Sequence, residues 1–120
     1  EEYVNWGILL MYGGAVALRL ALKRLLLEEK LEIDPFLGFM GAVSLGLCGG
    51  EVLMDLCYEE DSSATMDMNV VAMEDGGLVE VQASAEKEAV PPQTAADMMR
   101  EAVAAIVDEV VPVQREAVGE

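Results

Sequence analysis

The chain has 120 residues, which predicts one domain able to bury a single core without disulfides or metals as staples. Apolar residues make up 53% and aromatics only 5%, so the core must be aliphatic, and the chain is too apolar to be disordered. With 23 acidic residues, 7 basic ones and no histidine, the net charge of −16 excludes a surface that holds RNA or DNA on its own, and it disfavours anionic membranes.

The run Trp6–Leu18 is apolar but stops at Arg19, short of the ~20 residues a membrane span needs. It reads as core. No basic region precedes it and no A-x-A site follows, so it does not read as a signal peptide. A start at Glu1 and not at Met reads as a processed, trimmed or excised chain. Tyr3–Tyr12 (YVNWGILLMY) is rich in β-formers and predicts a buried strand, broken by Gly13-Gly14. Ala15–Lys30 consists of strong helix formers and predicts a helix whose narrow wet face carries Arg19, Lys23, Arg24 and Glu28.

Glu32–Phe39 is expected to loop around Pro35. Gly41–Cys48 and Glu51–Tyr58 predict a hairpin across Gly49-Gly50. Met68–Met73 and Leu78–Ala83 predict a second, with Glu74-Asp75-Gly76-Gly77 as its turn. Ser84–Gln93 reads as an extended link ending in Pro91-Pro92. Thr94 is the expected cap of a helix to about Val111, with Asp97 completing a capping box. Met98, Met99, Val103, Ile106, Val107 and Val110 recur at three and four. Pro112 weakens or ends that helix, and a last turn over Gln114–Ala117 is allowed. The resulting order, β-α-β-β-β-β-α, predicts an α+β fold: a largely antiparallel sheet with two helices on one face.

Cys48 and Cys57 fit no metal-ligand spacing, and no histidine is present to complete a zinc site. They read as two buried thiols of a reducing, intracellular compartment. Between the two hairpins lies an acidic stretch, Tyr58–Asn69 (YEEDSSATMDMN), with Glu59, Glu60, Asp61 and Asp67. From the residues alone it is a solvated connection, a metal site or half of an active site.

Met54–Glu86 (MDLCYEEDSSATMDMNVVAMEDGGLVEVQASAE) resembles the C-terminal half of the RNase PH family, phosphorolytic 3′→5′ exoribonucleases. That family carries a LDLDYxEDSxAxxDMNVV pattern followed by a hairpin strand reading FVEVQGTAE. Asp61 and Asp67 sit at the family's two aspartates, Val79-Glu80-Val81-Gln82 matches VEVQ, and Ala85-Glu86 matches the closing AE. Upstream, AVSLGLCGGEVLMDL is similar to the family's AVSVGIVDGxPxLDL, and Gly13–Leu26 to the helix after its ITGA motif. Downstream, Val113–Val118 (VQREAV) resembles its C-terminal end. Residues 1–120 therefore read as a single RNase PH-like domain corresponding to the C-terminal half of the family chain.

The resemblance implies a reaction and a site. Inorganic phosphate, as co-substrate, attacks the last phosphodiester of an RNA and releases a nucleoside diphosphate, as in tRNA 3′-end processing. Asp61 and Asp67 would be the catalytic and metal-holding pair, with Mg²⁺ on their hard oxygens and Glu60 and Glu86 as weaker neighbours. The family's Gly-Thr-Arg phosphate cradle is changed, however. The arginine position holds Gly7, and Trp6 and Ile8 replace the neighbouring threonines. No counterpart of the family's basic N-terminal half is present in these residues.

Three readings follow. The first is a non-catalytic, structural subunit or half of an RNA-processing assembly, for which inactive subunits of exosome rings are a precedent. The second is an active phosphorolytic exoribonuclease whose phosphate site comes from another chain. The third is a metal-binding module without nuclease work. The expected partners are further copies or an RNase PH-like chain, with RNA reached only through the assembly and no membrane.

Overall fold

Strong helix formers fill the N-terminal segment, and a helix once nucleated extends cheaply. In the computed structural model, which describes residues 6–54 and 63–120 (backbone only for 6–12), α1 spans Trp6–Leu27. The strand expected over Tyr3–Tyr12 is thus helix from Trp6 onward, and residues 3–5 lie outside the described part. Gly13 and Gly14 do not break it. Each weakens a helix by about 1 kcal/mol, and the flanking Leu, Met and Ala outweigh two such penalties. The helix ends in a left-handed residue, Glu29 at φ 58°. Its N–H donates to the Leu26 carbonyl at 3.1 Å and the Lys30 N–H to that of Leu25 at 2.9 Å, a glycine-type helix stop built with glutamate.

The wet face of α1 also differs from expectation. Leu18 and Leu20 are exposed, at 55% and 47%, whereas the Arg19 side chain is only 12% exposed. Its guanidinium bonds Asp34 and Glu120, both at 2.8 Å, and lies 4.6 Å from the Phe36 ring centroid. Lys23 donates to the Val118 carbonyl at 3.0 Å. Asp34 and Glu120 thus draw Arg19 inward, whereas Arg24 and Glu28 stay on the exposed side as expected, paired at 2.9 Å.

Among the described residues four strands form one antiparallel sheet: β1 (Met40–Cys48), β2 (Glu51–Met54), β3 (Met66–Met73) and β4 (Leu78–Ala85), in the order β2-β1-β3-β4. Both predicted hairpins are present, the returning arm of the first over Glu51–Met54, while its expected continuation over residues 55–58 lies outside the described part. Gly49 and Gly50 turn the first with φ of 58° and 83°, angles that glycine adopts freely. β3 begins at Met66, two residues before the expected Met68, because Met66 and Met68 both face the core. Asp67 therefore lies on a strand and not in the loop.

The second helical arm is continuous. It comprises α2 (Pro92–Ala105), a π-helical turn (Ile106–Val110) and α3 (Val111–Val118). Its cap is not the expected one. Pro91 takes the N-cap position, and Thr94 lies inside the helix with its N–H on the Pro91 carbonyl at 3.0 Å. Asp97 instead accepts from the Gln93 amide at 2.8 Å and pairs with Arg100 at 3.3 Å. Proline is preorganised for the first helical turn, so Pro92 starts the helix and a side-chain cap is unnecessary. Pro112 does not end the arm either. A proline ring clashes with the carbonyl one α-turn back, and the preceding wider turn is the usual way to absorb such an insertion.

The core lies between these helices and one sheet face. Val43 and Leu45 of β1 and Met66, Met68, Val70 and Ala72 of β3 meet Met98, Ala102, Ile106, Val111 and Val118. Burying this aliphatic set at about 25 cal/mol per Å² is the main source of stability. Gly41 sits where the π-turn comes closest to the sheet, since a Cβ there would lie 2.7 Å from Val110 Cγ1 and 3.2 Å from Ile106 Cγ2. Gln114, fully buried, donates to the Met40 carbonyl at 2.9 Å. The α+β class and the two-helix cover are as the sequence predicts. No described helix is long and apolar enough to cross a membrane.

Candidate functional site

Strand side chains alternate between faces. Met66, Met68 and Val70 point to the helices, so Asp67 and Asn69 point to the opposite face. The β3–β4 register pairs Asp67 with Ser84 and Asn69 with Gln82, placing all four on that face. The β1 register adds Gly46 opposite Asp67 and Ser44 opposite Asn69. Gly46 contributes no side chain beside Asp67. The Ser44 hydroxyl donates to Asn69 Oδ1, which fixes the asparagine amide across the sheet.

Glu86 follows Ser84 by two residues. Its N–H donates to the Thr65 carbonyl at 2.9 Å, holding the chain that leaves β4 against the chain that enters β3. Lys87 reinforces this end, with its ammonium on the Ser63 carbonyl at 2.7 Å. Gln82 Nε2 donates to Glu80 at 2.5 Å. The outcome is an open concavity of about 360 Å³ lined by Asp67, Asn69, Gln82, Ala83, Ser84 and Glu86.

Of the sequence-derived pair, the structure places Asp67 in this concavity, while Asp61 and its neighbour Glu60 lie outside the described residues, as does Cys57. Glu86 shares the concavity with Asp67. Asn69, Gln82 and Ser84 were not singled out from sequence. The signal was available: counting outward by twos from the Glu74–Gly77 turn puts them on the face of Asp67. Cys48 ends β1 half-buried, not in the core.

The lining is rich in oxygen acceptors. Two carboxylates and two carboxamides offer hard donors of the kind Mg²⁺ takes. Among the described residues, however, no three acidic, thiol or imidazole groups converge to hold a metal ion. The described lining residues include no lysine or arginine. At the docking of α1, the Phe36 N–H and then Arg19 hold the Asp34 carboxyl below its ordinary range, and Arg19 does the same to Glu120.

Residues 38–105 match the family model described as 3′ exoribonuclease family, domain 2. The matched span includes all four strands, the concavity and the whole of α2.

Proposed function

The chain belongs to the 3′ exoribonuclease family, and from that premise we propose that this RNase PH-like domain serves as a structural, non-catalytic part of an RNA-processing assembly. One observation carries the reading. Among the described residues, the concavity that holds Asp67 is lined by two carboxylates and no cation, in a chain of net charge −16. Phosphorolysis must bring inorganic phosphate and an RNA backbone together, and both are anions. Stabilising them takes arginines, lysines or backbone donors aimed at the phosphate oxygens. The segment resembling the family's phosphate cradle has Gly7 at the arginine position and belongs to α1.

A second reading is favoured by the placing of Asp67 and Glu86 in one concavity. In it the domain is the acidic half of an active phosphorolytic exoribonuclease, and a further copy or an RNase PH-like chain brings the cations. Asp67, with Asp61 by resemblance, would then hold Mg²⁺, which when bound offsets charge on the phosphate under attack. Asn69 and Ser84 would orient ribose or water at the same rim.

The two readings part in one assay. The chain is incubated with a single-stranded RNA, Mg²⁺ and inorganic phosphate, and nucleoside diphosphate release is measured. The structural reading expects none from the chain alone, and expects any release by its native assembly to be unchanged when this subunit carries Asp67→Asn. A release of nucleoside diphosphate that Asp67→Asn reduces by about 10²-fold or more, as expected for loss of a metal-holding carboxylate, would overturn it in favour of the second.

A further inference from the structure

Among the described residues β4 lies at the edge of the sheet, and all eight of its residues are exposed. The Glu86 N–H bonds the Thr65 carbonyl, and bonded and non-bonded pairs alternate along an antiparallel ladder. Ser84 and Gln82, in register with Asp67 and Asn69, therefore direct their backbone groups to β3. Val81, Ala83 and Ala85 direct theirs outward, and among the described residues no strand pairs with them.

Edge strands in isolated domains are commonly blunted by lysine, proline, inward charges or a covering element. β4 (LVEVQASA) has neither lysine nor proline. Its single charge, Glu80, is in register with Val71, on the face away from the helices. The face toward the helices is not covered at β4: Leu78 is 49% exposed and Val81 40%, although their partners Ala72 and Val70 are fully buried. The helical layer ends over β3, one strand short of the sheet.

We infer that the outer edge of β4 receives an extended, basic segment of a partner polypeptide as a fifth strand. Backbone pairing supplies attachment along Val81, Ala83 and Ala85. Apolar side chains of the incoming strand cover Leu78 and Val81 on the helix side. Charge selects the rest. β4 carries Glu80, Glu86 and Glu88 follow it, Asp67 and Glu86 occupy the adjoining concavity, and the chain as a whole is at −16. A second copy meets like charge, and so does a nucleic acid. A strand with lysine or arginine at alternate positions sets those cations beside Glu80, Gln82 and Ser84, as an outer wall to the concavity. The inference rests on the β4 edge and on charge, not on the catalytic state of Asp67.

The test uses amide hydrogen exchange on the purified chain with a synthetic peptide of alternating valine and lysine. Its valine–glutamate counterpart is the control. Exchange at Val81, Ala83 and Ala85 slows by about tenfold or more at saturation, while Ser84 and Gln82, already bonded, change little. The glutamate peptide has no such effect. Ala83→Pro removes one outward donor without touching the β3 ladder, and Glu80→Lys reverses the nearest charge. Each weakens the lysine peptide by about tenfold, and the exchange map of the unmodified chain decides the matter if either variant fails to fold. Protection elsewhere on the chain, no protection, or equal protection by the glutamate peptide overturns the inference. So does protection of these amides in the free chain together with a dimeric mass by light scattering, which would make the occupant a second copy. The exchange test contains no RNA, Mg²⁺ or phosphate and reads only the β4 amides, so this result and that of the phosphorolysis assay fail separately.

Discussion

At the scale of single residues, Glu29 and Arg19 show how local physics and distant contacts compete. Glu29 holds φ at 58°, a region that disfavours a Cβ by roughly 1–2 kcal/mol. It also places an acid at the carboxyl end of α1, where the helix dipole is already negative. Glu29→Gly removes both penalties, and we expect it to raise stability by about 1 kcal/mol, read as a higher midpoint in urea unfolding. Arg19 acts through proton linkage. The carboxyls of Asp34 and Glu120 are held below their ordinary range, so the folded state binds fewer protons there than the unfolded chain. Their stabilisation is complete above the ordinary carboxylate range and is lost as pH falls through the depressed folded values. Thermal unfolding followed from neutral to acid pH should show this loss. Arg19→Met should lower the midpoint by a few degrees near neutrality and flatten its acid dependence.

At the scale of elements, the alternating pattern of the central strands was legible, and so were their glycine turns. Val43, Leu45, Met68 and Val70 alternate with smaller or polar neighbours, and the Asp75-Gly76-Gly77 turn fixes the register that brings Ser84 opposite Asp67. The helix over Ala15–Leu27 was legible in its strong helix formers, but its extension back to Trp6 was not, because Trp, Tyr and Ile serve helices nearly as well as strands and only context decides. The π-turn that precedes Pro112 was not read either, and where it meets the sheet it makes a packing demand between Ile106, Val110 and Gly41 that no local pattern encodes. That demand gives a prediction. Gly41→Ala inserts a methyl 2.7 Å from Val110 Cγ1 and should destabilise the fold by about 1–3 kcal/mol, measured by chemical denaturation. Val110→Ala in the same chain should recover part of that loss, since the two changes share one contact.

At the scale of the whole molecule, the candidate site depends on a sheet only partly covered by helices, and its acidity belongs to the chain as much as to the site. Asp67 was legible because a six-residue spacing to Asp61 lies within a long family-like stretch. The role of its surroundings was not, because it emerges only when β3 and β4 pair. The Arg19–Glu120 contact, formed between residues 101 positions apart, has a temporal consequence. Bringing such distant groups together requires closing nearly the whole chain, an entropy loss that other contacts must offset first. The sheet and second helical arm can therefore consolidate while α1 is still undocked, and we expect α1 to join after the rate-limiting step. Stopped-flow measurements should find that Arg19→Met accelerates unfolding and barely alters refolding. The two ends of the chain thus act as a latch on the lifetime of the native state, not on the speed of reaching it.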